Sequence, residues 1–122
     1  MSDQATFAPF NKISDDARVV VISEGEEPVA CGCYRPLKDA VEIKRMYVKP
    51  AFRGKGLAKI ILSELESWAQ AEGYDYAKLE TGDKQPEAVG LYKAVGYTVI
   101  ENYEPYIGIK YSICMGKELN KS

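Results

Sequence analysis

The sequence predicts an α+β fold: a mixed sheet, antiparallel at its beginning and end, with a single parallel β-α-β crossover in the middle. Three observations carry that prediction. Two short β-branched runs near the start are separated only by a charged glycine turn, the mark of a hairpin. The strongest 3.6-residue apolar period, over residues 56–72, lies between two strand-like runs, and a strand-helix-strand order makes those strands parallel neighbours. Two further strand-like runs follow a shorter amphipathic segment and close the chain. At 122 residues the chain is long enough for one core and too short for two, so a single domain over 1–122 is expected, with residues 1–16 as a polar lead-in.

Taken in order, "ARVVVIS" (17–23) and "PVACGCY" (28–34) are the first two strands, and "EGEE" (24–27) is the turn between them. "RPLKD" (35–39) turns the chain into "AVEIKRMYV" (40–48), where Val41, Ile43, Arg45 and Tyr47 alternate with Glu42, Lys44, Met46 and Val48 until Pro50 ends the strand. In the helix at 56–72, Leu57, Ile61, Leu65 and Trp68 form the stripe, with Ala58, Ile60, Leu62 and Ala69 alongside, and Gly73 is a natural residue to end it. "YAKLETG" (76–82) is the strand after the crossover. Pro86 suits the first turn of a second helix over 86–95, whose stripe Ala88, Leu91, Tyr92, Val95 stops at Gly96. "YTVIENY" (97–103) and "IKYSICMGKEL" (109–119) are the closing strands.

Composition narrows the chemistry. Apolar residues at 46% and charged residues at 28% are ordinary globular values. No run approaches the roughly 20 apolar residues of a membrane helix, and the N-terminal stretch has neither a basic flank nor an apolar core, so a cytoplasmic protein without membrane contact is expected. Three cysteines, two of them Cys31 and Cys33 in "CGC", form no disulfide framework, and with no histidine present no zinc or other metal site is expected. The missing histidine also closes Ser-His-Asp and Cys-His routes to a nucleophile, leaving Glu, Asp, Lys, Tyr or Cys as any acid or base.

The stretch "RMYVKPAFRGKGLAKIIL" (45–62) sets a strand, a basic glycine turn and a helix in immediate succession. The first amides of a helix have no intrahelical partner, and their dipoles sum to a partial positive charge. Gly54 and Gly56 let a ligand approach the backbone, and Arg53 and Lys55 add formal charge, so a phosphate suits the turn. From Ile43 to Ser63 there are six cations, Lys44, Arg45, Lys49, Arg53, Lys55 and Lys59, and no acid, although the whole chain carries a net charge of −2. A confined patch of this kind points to a small polyanion and not to nucleic acid. Chain reversal and plain solvation would account for the same glycines and charges. No G-x-x-x-x-G-K-[ST] loop occurs, and the dinucleotide pattern begun by Gly54 and Gly56 has Lys59 in its third glycine place.

Those residues resemble motif A of the GCN5-related N-acetyltransferase (GNAT) superfamily, which has Gln or Arg, two residues, Gly, one residue, then Gly or Ala; Arg53, Gly56 and Ala58 occupy the three specified places. "LETGDKQPEAVGLYKAVGY" (79–97) is similar to the strand and helix that follow in that family, and the likeness runs from about Arg18 to Leu119. The resemblance implies a GNAT-like acyl-CoA N-acyltransferase fold and transfer of the acetyl group of acetyl-CoA, as co-substrate, to a primary amine of a small molecule or peptide by direct attack. It implies that the pantetheine arm pairs with the main chain of Met46, Tyr47 and Val48, and that the pyrophosphate takes the amides of Arg53, Gly54, Lys55, Gly56, Leu57 and Ala58. Tyr92 matches the tyrosine that protonates the departing thiolate, and Glu42 a strand glutamate that serves as base, with Glu80 a second carboxylate candidate. Tyr92 as core filler and Glu42 as a strand-pairing carboxylate are the plain structural alternatives.

Members of that family carry a first strand and two helices ahead of the strand that begins here near Ala17, and those helices wall the acceptor pocket. With about sixteen residues before that point, the resemblance implies a short member whose wall is absent, left open to a larger acceptor or completed by a homodimer partner. A non-catalytic acyl-CoA-binding or sensor module of the same fold is the rival function.

Overall fold

A computed structural model describes residues 17–119 of the chain, so the expectation that residues 1–16 leave the acceptor wall absent lies outside the described residues. The elements follow the predicted order: β1 (Arg18–Glu24), β2 (Glu27–Leu37), β3 (Ala40–Val48), a 3-10 turn (Pro50–Phe52), α1 (Leu57–Ala71), β4 (Tyr76–Gly82), α2 (Pro86–Ala94), β5 (Thr98–Ile100) and β6 (Ser112–Glu118). Among the described residues the sheet has six strands in the order β1-β2-β3-β4-β6-β5. Every neighbouring pair is antiparallel except β3–β4, which is parallel. The closing strands are shorter than the sequence suggests, because residues 101–111 form a loop held on itself by Asn102, whose Nδ2 donates to the carbonyls of Tyr106 and Ile109.

Helix α1 covers the sheet with Ile61, Leu62, Leu65 and Ala69. Ile60 and Trp68, expected on the same stripe, are 51% and 38% exposed; Trp68 sits at its margin, edge-on to buried Tyr34. Both helices end in the same way. In α1 the amide of Gly73 donates to Gln70 and that of Tyr74 to Ala69; in α2 the amide of Gly96 donates to Lys93 and that of Tyr97 to Tyr92. These are Schellman ends, which need a left-handed residue just past the helix, and Gly73 and Gly96 have φ of 97° and 105°. The second of them brings the Tyr97 ring edge-on to Tyr92, with centroids 5.9 Å apart.

Tyrosine hydroxyls pin the helices to the sheet. Tyr97 donates to Glu66 of α1 at 2.9 Å, and Glu66 also takes Lys117 of β6 at 2.8 Å. At the far end of α1, Glu72 accepts from Tyr34 of β2 and from Arg18 of β1. A carboxylate at a helix C-terminus opposes the dipole, and the Arg18 guanidinium offsets that.

One irregularity controls the middle of the sheet. Cys31 pairs with Tyr47 but Cys33 with Lys44, so β3 carries one residue more than β2 over this step. This bulge breaks the expected alternation: Val41 and Ile43 face the helices, and so do Met46 and Val48. Gly32 lies opposite. A Cβ there would stand 2.5 Å from Met46 Sδ and 2.7 Å from Ile61 Cγ2, so the close approach of α1 to the bulge requires glycine.

Gly32→Ala is therefore expected to lower stability by about 1–3 kcal/mol through overpacking, read as a fall in the urea midpoint at unchanged slope. A wild-type midpoint would show that the bulge tolerates a methyl group. The Glu72 carboxyl is held below its ordinary range, first by the Tyr34 hydroxyl and then by Arg18. A depressed acid contributes stability above its unfolded pKa and loses it as pH falls through the folded one. The midpoint gap between wild type and Glu72→Gln should be present at pH 7 and close below the ordinary carboxylate range; a gap independent of pH contradicts this.

Candidate functional site

The ladder between β3 and β4 ends early. Val41 pairs with Ala77 and Glu42 with Lys78, and beyond these no pair joins the two strands. The bulged β3 bends away, leaving a wedge between Ile43–Val48 on one side and Leu79–Gly82 on the other. Met46, Tyr47 and Val48 line this wedge; Tyr47 and Val48 pair with Cys31 and Ala30 of β2 on their other edge. The ladder toward β4 stops at Glu42, so this stretch of β3 borders the wedge and not a paired strand. The wedge opens into a cavity of about 1460 Å³, above the roughly 300–1,000 Å³ of drug-sized ligand sites and of a size for a long cofactor.

At the broad end lies the turn before α1. Gly54 and Gly56 have φ of 81° and 79°, and a Cβ on either would meet nothing within 4 Å, so the space over the backbone is open. The first helical bond of α1 runs from the Ile60 amide to the Gly56 carbonyl at 3.2 Å, and no side chain caps the helix. Among the described residues, the amides from Gly54 to Lys59 donate to no acceptor of the protein. A row of free amides at a helix N-terminus fits a phosphate, and the turn passes this test for a diphosphate.

The expected residues converge with two corrections. The Arg53 amide donates to the Pro50 carbonyl at 3.3 Å, so it is not free for a ligand; the Arg53 side chain lines the cavity and donates through Nε to the Val48 carbonyl. Lys55 does not line the cavity, and its ammonium lies over the Phe52 ring at 5.4 Å. Lys49, counted among the basic residues, is ion-paired with Glu27 at 2.8 Å. Met46, Tyr47, Val48, Gly54, Gly56, Leu57 and Ala58 all take part in the lining, as do Glu42, Glu80 and Tyr92.

Tyr92 reaches the wedge from α2 and is buried. Burial raises its hydroxyl above the ordinary phenol range, so it stays protonated at neutral pH. Its hydroxyl makes no hydrogen bond among the described residues and is not a sealed, unpartnered atom, so it meets open space. That sets it apart from Tyr34, Tyr97, Tyr103 and Tyr106, whose hydroxyls each donate to a carboxylate.

Glu42 is buried at 2% exposure on the sheet face away from the helices. Tyr103 and Tyr106, from the loop at 101–111, donate to its Oε2 at 3.0 and 3.5 Å, and Arg35 donates to its Oε1 at 3.3 Å. Glu80 accepts from the Ser112 hydroxyl at 2.7 Å. Lys59, one of the six cations counted from sequence, also lines the cavity, as do Tyr106, Lys84 and Gln85, which were missed from sequence. Lys84 and Gln85 stand just before Pro86, where a second helix start was the available signal; Tyr106 had none, being 64 residues from Glu42. Among the described residues no group of acids and cysteines is placed to hold a metal ion, all three cysteines are buried and free, and no helix is long and apolar enough to cross a membrane.

Comparison with known proteins agrees with this geometry. An N-acetyltransferase of Schizosaccharomyces pombe, itself uncharacterized, is 30% identical over 99 residues, covering 78% of this chain and 61% of its own length. An IAA acetyltransferase of Azospirillum brasilense is 31% identical, over 85% of this chain and 69% of the relative. The chain thus spans about two thirds of these relatives. A Klebsiella pneumoniae structure described as an acyl-CoA N-acyltransferase superposes with a TM-score of 0.84 at 27% identity, covering 98% of this chain and 86% of that one. The Thermoplasma acidophilum PaiA N-acetyltransferase, solved in complex with coenzyme A, shares the fold at a TM-score of 0.75 and 17% identity, over 84% of this chain and 61% of that one. The model of the acetyltransferase (GNAT) family matches residues 2–97, and with the parted β3–β4 pair and the open glycine turn this places the chain as a member of that family.

Proposed function

We propose that the protein transfers the acetyl group of acetyl-CoA to a primary amine, of a small molecule or a peptide, by direct attack. The observation that carries this reading is the continuity of the wedge: Gly54, Gly56, Leu57 and Ala58 with their free amides, the β3 stretch Met46–Val48, and an open tyrosine hydroxyl line one cavity. The amides of Gly54, Gly56, Leu57 and Ala58 would hold the diphosphate, with Arg53 and Lys59 adding charge. The edge of Met46, Tyr47 and Val48 would take the amides of the pantetheine arm as an added strand. Acetyl-CoA bound in this way supplies a thioester carbon open to attack.

The residues then divide the proton chemistry. An amine attacks only after its ammonium loses a proton; of the three carboxylates lining the cavity, Glu42, Glu80 and Glu87, the first two stand on β3 and β4 where the ladder parts and are the acceptors at the wedge. Tyr92 Oη holds the proton that the departing sulfur requires, and burial keeps it there at neutral pH. The strand amide near Met46 is the donor available to a developing oxyanion.

Tyr92→Phe is expected to cut kcat by about 100-fold or more, in the range of general acid catalysis, while calorimetry gives an unchanged Kd for CoA. Turnover is read as thiol release at saturating acetyl-CoA across a panel of amines. Full turnover with weakened CoA binding would reassign Tyr92 to packing. CoA binding without thiol release from the wild type would favour the acyl-CoA sensor over the enzyme.

A further inference from the structure

Within the acetyltransferase reading, we infer that Glu80 is the carboxylate that takes the ammonium proton, and that Glu42 is a positioning residue that anchors the loop at 101–111 as one wall of the acceptor mouth. The two carboxylates line the same cavity but differ in their surroundings. Glu42 is enclosed, its side chain 3% exposed. Both its oxygens are occupied: Oε2 accepts from Tyr103 and Tyr106, and Oε1 faces Arg35 at 3.3 Å and Lys44 at 3.9 Å. An incoming ammonium would meet there an enclosed carboxylate that already holds three hydrogen bonds and faces two cations.

Glu80 is less enclosed. Its Oε2 accepts from Ser112, its Oε1 accepts from no group among the described residues, and no cation stands within ion-pair distance of it there. An ammonium reaching the wedge between β3 and β4 therefore meets in Glu80 a strand carboxylate with an oxygen free to pair with it, whereas Glu87, also in the lining, stands exposed at the start of α2. The N–H bond breaks toward Glu80 Oε1, and the nitrogen attacks the acyl carbon with the electron pair it keeps; the C–S bond breaks, the sulfur takes the Tyr92 proton, the second surplus proton on nitrogen passes to the Tyr92 phenolate, and the Glu80 carboxylic acid returns its proton to solvent.

The donors on Glu42 explain its burial. Tyr103 and Tyr106 stand edge-on to one another, 5.4 Å between centroids, and the Lys78 ammonium lies over the Tyr103 ring at 5.2 Å. Burial, then the charge of Glu42, raises both phenols, Tyr106 to about 12, so they remain donors. Tyr106 itself lines the cavity, and through it the carboxylate of β3 fixes a wall built by a loop more than fifty residues further along the chain.

The test compares variants under one assay, thiol release from saturating acetyl-CoA with n-butylamine, tyramine, spermidine and L-lysine as amines, alongside amide hydrogen exchange over residues 101–111. Glu80→Gln should lower kcat about 100-fold or more, as loss of a general base does, with CoA affinity unchanged. Glu42→Ala should raise KM for the amine and speed exchange over 101–111. Glu42→Gln, which keeps an oxygen for the two phenols while the part-exposed Arg35 and Lys44 turn to water, should rescue both. The double variant Tyr103→Phe with Tyr106→Phe should reproduce the Glu42→Ala pattern without touching Glu42. A kcat loss in Glu42→Gln equal to that expected of Glu80→Gln, or a Glu80→Gln enzyme of full turnover, overturns the assignment. Unchanged exchange in Glu42→Ala overturns the anchor. If the wild type binds CoA but releases no thiol with any amine, acetyl transfer fails and the Glu80 step falls with it, while the exchange arm still decides the anchor.

Discussion

The parting of β3 from β4 after two pairs of ladder partners is the constraint on which the rest of the site depends. A parallel pair in the middle of a sheet ordinarily satisfies its backbone groups along its whole length. Here half of β3 turns its edge to a cavity instead, and the cause lies on the other side of the strand. The extra residue between Lys44 and Tyr47 bends β3, and Gly32 of β2 leaves room for Met46 and α1 to close over the bend. That stretch of β3 borders an open cavity, where its backbone groups are reached by water and within reach of a ligand.

The same division between engaged and open groups runs through the tyrosines. Tyr34, Tyr97, Tyr103 and Tyr106 each end on a carboxylate, and each such pair joins elements distant in sequence: α1 to β2, α1 to the end of α2, and the 101–111 loop to β3. These pairs lock the scaffold. Tyr92 shares the apolar environment but not the partner, and the Schellman end at Gly96 together with the Tyr97–Glu66–Lys117 network holds its ring in place. A phenol that is buried, positioned and free at its oxygen is suited to delivering a proton.

Much of this was readable from local signals. The periodicity from Leu57 to Ala69, the glycines at 73 and 96, and Pro86 set the helices to within a residue or two, because each rests on a short-range physical rule. The glycine turn was readable because its chemistry is in the backbone. What escaped depended on distant partners. The bulge has no mark within "AVEIKRMYV", since it answers to Gly32 on another strand and Ile61 on a helix. The Arg53 amide looked free until the 3-10 turn gave it the Pro50 carbonyl. Tyr106 and the crowding of Glu42 arise from a loop that alternation assigned in part to strands, so the two carboxylates could not be ranked from sequence by their surroundings.

The central claim, that the turn amides and the open edge of β3 together form the cofactor seat, is tested most directly by titrating CoA into the nitrogen-15-labelled protein and following the backbone amide resonances. The account predicts the largest shifts at Gly54 to Ala58 and at Met46 to Val48, with the β1 amides undisturbed. Shifts confined to other elements, or none at saturating CoA, would contradict it.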